Sequence, residues 1–167
     1  MGNASLTIGE QSLICKTLYD LEFGKPAERK KAVAILGRLN EHILVEKTQN
    51  KLEPMNVGCH VEHVQPQQHE DVRDWNDTWD STDASTWKNK LGNLALLNRN
   101  TNSKIGNGSF ERKKDHLIDS PYPLTKEIAK TKAWDVHAVK QNHDKTIGLA
   151  KEVWNLVCLE NESRDHI

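Results

Sequence analysis

The stretch "HVEHVQPQ", residues 60–67, sets an acid, a histidine and a proline together where an alternating apolar pattern runs out. Neither Glu62 nor His63 helps a strand to pack. An imidazole with an ordinary pKa of about 6.5 can take up a proton at neutral pH, and a carboxylate can hold a hard cation. A purely structural acid–histidine pair is the commoner use of such neighbours. Cys59, His60 and His63 also offer sulfur and nitrogen to zinc, but no second pair follows at the spacing that tetrahedral zinc sites use. His69 and His116 read as surface residues.

Charge is the second chemical signal. The net charge is only -1, yet its distribution is uneven. Residues 70–83 carry six acids (Glu70, Asp71, Asp74, Asp77, Asp80, Asp83) against Arg73, whereas residues 88–114 carry seven bases (Lys88, Lys90, Arg99, Lys104, Arg112, Lys113, Lys114) against Glu111. A local basic segment is the footprint that a phosphate backbone asks for. A solvated face neutralised by its acidic neighbour is the plainer reading of the same pattern.

Elements able to position these residues follow from periodicity. Ala32, Leu36, Leu39 and Ile43 recur at helical steps, which predicts a helix over 28–46 after another over 10–22, the two packed together. Val57, Cys59 and Val61 alternate with Gly58, His60 and Glu62, so a strand is expected to end near His63, with Pro66 stopping it. Residues 67–88 read as a long polar loop holding Trp75 and Trp79. "KLGNLALL" offers a short apolar strand or turn, "NRNTNSK" is rich in helix-capping asparagines, and "SFERKKDHLI" reads as a short basic helix. Two helices over 124–132 and 135–158 close the chain, with Val139, Ile147, Ala150, Val153, Trp154 and Val157 as core candidates. Phe110, Trp75, Trp79 and Trp134 are expected in the core as well.

At 167 residues the chain suits one domain, and 36% hydrophobic with 28% charged residues is polar but foldable. No apolar run approaches the roughly 20 residues of a membrane span, and the first residues lack a signal-peptide pattern, so a cytoplasmic protein is expected. Cys15, Cys59 and Cys158 are odd in number and far apart, and are expected as reduced, buried thiols.

"VEHVQPQ" followed by "LGNLALLNRNTNSKIGNGSFERKK" resembles the HNH (His-Me finger) nuclease domain at the C-terminal end of GmrSD-type modification-dependent restriction enzymes. The shared pattern is an acid-His-aliphatic-x-Pro-Gln element, a tryptophan-bearing loop, Leu-Gly-Asn-Leu-x-Leu-Leu, an Asn about nine positions later, and Asn-x-x-Phe-x-x-Lys-Lys. It runs from about Val57 to Lys114, and the flanking helices resemble the family too. The resemblance implies an α+β, mostly helical fold: a ββα-metal core over 55–118, N-terminal helices over 1–54 and C-terminal helices over 119–167. It implies a C-terminal piece of a larger restriction or phage-defence protein, partnered by DNA and by an N-terminal nucleotide-hydrolysing sensor module.

Carried over residue by residue, the resemblance casts His63 as general base, Asn93 as the asparagine that braces the histidine's loop, and Glu62 with Asn102 as ligands of Mg²⁺ or Mn²⁺. Lys104, Arg112, Lys113 and Lys114 become the DNA contacts. Asn98 and Asn100 lie close enough to Asn102 to serve in its place. Neighbours on a strand face opposite ways, so Glu62 and His63 can share a ligand only where the strand ends and the chain turns. The chain departs from the family at Asn142, eight places after Trp134, where an arginine is common. The implied function is a metal-dependent DNA endonuclease. A non-catalytic DNA-binding or regulatory module of the same fold, or an RNA-directed nuclease, stands as the alternative.

Overall fold

A computed structural model describes residues 5–48, 59–68, 75, 77–98 and 106–158. Val57, Gly58, His69, Asn100, Asn102 and Lys104 lie outside the described residues, as does most of the asparagine-rich segment. The fold is α+β and mostly helical. In chain order the elements are α1 (Ile8–Asp20), α2 (Pro26–Thr48), β1 (Cys59–His63), α3 (Ser81–Trp87), a 3₁₀ turn (Leu91–Asn93), β2 (Leu94–Asn98), α4 (Phe110–Ile118), α5 (Pro123–Ala129) and α6 (Val136–Val153).

Helix α1 starts where the sequence supplies a reciprocal cap: the Glu10 amide donates to Thr7 Oγ1 at 3.2 Å, and the Glu10 carboxylate accepts the Thr7 amide at 2.8 Å. The predicted loop over 67–88 is corrected in its second half, which holds α3. Asp80 caps that helix by accepting from the Asp83 amide at 2.8 Å, a single acid easily lost among its acidic neighbours in the sequence.

β1 and β2 pair antiparallel, with Glu62 opposite Ala95 and His63 opposite Leu94. Strand alternation explains why Leu94–Leu97 are all buried. Ala95 and Leu97 enter one apolar cluster with Trp75, Trp79, Trp87, Phe110, Leu117 and Trp134; Leu94 and Leu96 enter another with Phe23, Ala32, Leu36, Leu39 and Ile147. The far edge of β2 is closed by side chains, since Thr125 Oγ1 both accepts from the Leu96 amide and donates to the Leu96 carbonyl at 3.0 Å, and Ser120 Oγ donates to the same carbonyl. A two-stranded ribbon this short owes its stability to those clusters. Helices α1 and α2 both feed the second cluster, which α6 completes.

Three expectations are corrected. Cys15 and Cys158 are joined as a disulfide, their Cα atoms 6.2 Å apart across a separation of 143 residues, and Cys59 is partly exposed rather than buried. Distance along the chain said nothing of distance in space. Trp154 and Val157 are 39% and 55% exposed, because α6 ends at Val153 and the chain beyond it leaves the core.

The 3₁₀ turn before β2 is locked by α6. Gly92 donates its amide to His143 Nδ1 at 3.1 Å and its carbonyl accepts from Asn142 Nδ2 at 2.8 Å. A Cβ at Gly92 would stand 2.5 Å from His143 Cβ and 2.6 Å from the Val139 carbonyl oxygen, neither of which can swing aside. Gly92→Ala is therefore expected to lower stability by about 1–3 kcal/mol or more, as overpacking does. Urea denaturation checks this, and a midpoint unchanged from the parent would refute the close packing of α6 on the turn.

Candidate active site

Among the described residues β1 is an edge strand, with β2 on one side only. Three consecutive residues of it, Val61, Glu62 and His63, line one polar cavity of about 390 Å³ with Arg29, Pro66, Gln67, Gln68 and Asn107. Successive side chains face opposite ways, so all three can border one space only if it runs along the open edge and around the strand's end. The strand stops at His63, and the chain bends into buried Pro66. Glu62 and His63 thus share a cavity while leaning on different helices.

His63 is 7% exposed, and its Nε2 has no hydrogen-bond partner among the described residues. Burial pushes the imidazole pKa down to about 4, helped by the positive charges of Arg29, Lys113 and Lys88 and opposed by a hydrogen bond with the Asn89 side chain. The ring is neutral at physiological pH. Asn89 is fixed in turn, its Oδ1 accepting from Gln67 Nε2 at 2.9 Å. Gly24, lacking a Cβ, leaves room for this amide: a Cβ there would lie 3.0–3.1 Å from the Asn89 side-chain atoms.

Glu62 leans the other way, onto α4. Lys113 Nζ donates to Glu62 Oε1 at 2.6 Å and to the His63 carbonyl at 2.8 Å, and its side chain is fully buried. Burial pushes the Glu62 carboxyl up and the Lys113 ammonium down, and each charge holds the other ionised. Lys113 is accordingly no surface phosphate contact, which corrects the sequence reading. The α4 stripe of Phe110, Lys113 and Leu117 faces inward, and the Glu62 carboxylate and the His63 carbonyl make a lysine acceptable there.

Asn93 is wholly buried at the same strand end. Its Oδ1 accepts from the Gln65 amide and from Trp134 Nε1, both at 2.9 Å; its Nδ2 donates to the Gln65 carbonyl at 2.9 Å and the Lys88 carbonyl at 2.8 Å. The Val64 amide donates to the Asn93 carbonyl at 2.9 Å. The residues just after His63 are thereby clamped to the turn that starts β2.

The remaining sequence candidates scatter. Arg112 is exposed on α4, whereas Lys114 is engaged by Glu111 at 2.8 Å and the Lys132 carbonyl at 3.1 Å, and stands over the Phe110 ring. Asn102 and Lys104 lie outside the described residues. Asn142, where the family pattern has an arginine, spends its amide on the Gly92 carbonyl. Sequence reading missed Arg29, Asn89 and His143. The last is buried between Tyr19 and Trp87, its Nε2 donating to the Tyr19 carbonyl and its Nδ1 accepting from Gly92.

For a divalent metal, no group of three His, Cys, Asp or Glu side chains converges among the described residues. Donor chemistry still suits one: Glu62 is a carboxylate lining a polar cavity, a foothold for a hard cation that retains waters and takes substrate oxygens. The Cys59, His60 and His63 zinc alternative finds no such convergence.

Two outcomes follow from burial. Lys113→Met should cost about 3–5 kcal/mol, because it strands a carboxylate away from water, and adding Glu62→Leu should restore most of it. Denaturation midpoints of the single and double variants decide, and a neutral single variant would disprove the pair. Next, unfolded His63 binds a proton from about pH 6.5 downward while the folded imidazole refuses it until about 4. Stability in metal-free protein should therefore fall as pH drops through that window, by on the order of 3 kcal/mol from His63, with buried His143, also shifted down, adding in the same direction. An imidazole proton of His63 titrating by NMR near pH 6.5 would contradict this.

Comparison with known proteins adds one match. Residues 14–148 match the family model of GmrSD restriction endonucleases, C-terminal domain. A search of the curated proteins finds no match. The matched span starts within α1 and ends within α6, covering every element that builds the cavity. The chain belongs to the family of GmrSD restriction endonuclease C-terminal domains.

Proposed function

We propose that the chain is a metal-dependent DNA endonuclease that nicks or cleaves phosphodiester bonds in the restriction of foreign or phage DNA, on a ββα-metal (HNH) core. The observation that carries this reading is an imidazole kept neutral by its surroundings, in a polar cavity shared with a carboxylate and a guanidinium. Family membership supports it. In the reaction, water oxygen bonds to phosphorus, the ester P–O bond breaks, and His63 takes the proton that the water loses.

An imidazole with so low a pKa is a weak base in the empty cavity. A phosphodiester anion there would offset the field of Arg29, Lys88 and Lys113 and raise it toward the working range. Asn93 acts as the positioning residue, holding the segment that follows His63. Glu62, through the oxygen that Lys113 leaves free, and Asn102 would hold Mg²⁺ or Mn²⁺. Such a cation, when bound, supplies charge stabilisation for the phosphoryl and leaving oxygens. Arg112, Lys104 and Lys114 would contact the backbone without reading bases. Target choice falls to an N-terminal nucleotide-hydrolysing sensor module, and the protein works in the cytoplasm, where foreign DNA arrives.

One observation favours a second reading. Lys113 already neutralises Glu62, as a non-catalytic DNA-binding or regulatory module of the same fold would tolerate. Supercoiled plasmid incubated with protein and Mg²⁺ or Mn²⁺ separates the two. Nicked or linear product is expected, abolished by chelation and slowed about 10²–10⁴-fold in His63→Ala. Absence of product, or product undiminished in that variant, favours the module; cutting of RNA alone would redirect the substrate.

A further inference from the structure

Arg29 sits in the first turn of α2, about thirty residues before the strand that carries His63, in a part of the chain without sequence signals for chemistry. Its side chain nevertheless lines the same cavity as His63 and Glu62. We infer that Arg29 is a phosphate-binding residue of this cavity, taking the non-bridging oxygens of the DNA phosphate presented to His63. The inference rests on the nuclease reading and names a group of the same site.

Charge bookkeeping points the same way. The cavity's carboxylate, Glu62, is engaged at 2.6 Å by Lys113, which lies behind it. Arg29 has no carboxylate partner among the described residues. Lys88 stands near enough to act on the His63 ring as well. One paired carboxylate among three cations leaves the space positive, which suits an anion and not a second cationic side chain.

Geometry supplies the second support. Arg29 Nη1 reaches Gln67 Oε1 at 3.5 Å, the outer limit of a hydrogen bond, while Gln67 is held more firmly by its own amide on Asn89 Oδ1 at 2.9 Å and the Gly24 carbonyl at 3.3 Å. So weak a bond aims the guanidinium without consuming it. Its planar fork can then take two phosphate oxygens at once, which an ammonium cannot do. A merely structural Arg29 would be expected to hold Gln67 closely, and Gln67 does not need it.

The test measures binding of a short duplex DNA across a salt series, in a His63→Ala background that prevents cutting. Arg29→Gln should weaken binding several-fold to about tenfold at low salt and reduce the magnitude of the slope of log K against log salt by about 0.9, the loss of one phosphate contact. Arg29→Lys should keep the slope while leaving cleavage, measured with His63 intact, below that of the parent. Thermal melts of the three proteins should agree. An Arg29→Gln slope equal to the background's overturns the Arg29 assignment while plasmid cutting by the parent leaves the nuclease reading intact. A parent that neither binds nor cuts DNA overturns the nuclease reading and the role of Arg29 with it.

Discussion

A buried carboxamide with every hydrogen-bonding position filled ties this molecule together. Asn93 joins the main chain after β1, the main chain after α3 and the indole of Trp134 through one side chain. The Gln65 amide and carbonyl and the Trp134 indole are buried, so any smaller or apolar residue there would strand several donors and acceptors at once, each at about 1–3 kcal/mol. The strand end that presents His63 therefore has one backbone path. Gly92, one residue earlier, is held from the opposite side by Asn142 and His143 of α6. A turn gripped from both directions is a rigid platform for a side chain whose use depends on where it points.

Desolvation, rather than pairing, decides the electrostatics around that platform. For His63 the low dielectric and three nearby cations act together and leave the ring neutral. For Glu62 and Lys113 burial opposes both charges, and the contact between them is what makes either tolerable. These two outcomes are linked by geometry. Lys113 also donates to the His63 carbonyl, so the ion that neutralises the carboxylate also fixes the backbone of the adjacent imidazole. Strand alternation separates the two side chains, and one lysine rejoins them.

Much of this was legible in the residues. Helical periodicity located α2, composition and chain breaks located α1, α4, α5 and α6, and an alternating run ending near His63 located β1, because burial on one face leaves a regular trace. Local composition singled out Glu62 and His63 at the strand's end, and the family resemblance singled out Asn93, whose burial beside that end the structure shows. What escaped depends on contacts distant in sequence. Lys113 looks like any other base in a basic run, and only its pairing with a residue 51 positions earlier makes it internal. Arg29 sits in an unremarkable helix start, yet α2 lies against β1. Cys15 and Cys158 share no motif at all. The short helix α3 was hidden for the opposite reason: its signal was local, but one capping aspartate among many acids carries little contrast.

Helix α2 borders the cavity as β1 does. Phe23 donates its amide to the Asn89 carbonyl at 2.9 Å, Gly24 accepts from Gln67, and Arg29 borders the cavity opposite residues of β1 and the bend after it, so the segment leading into α2 is tied to the cavity's lining. Two strands of five residues could not hold such a cavity open alone, since a ribbon of that size is marginal in water. The apolar side chains that attach α2 to the strands, Ala32, Leu36 and Leu39, are also those that fix the distance from Arg29 to His63. Core packing and the placement of Arg29 against β1 are set by the same contacts here.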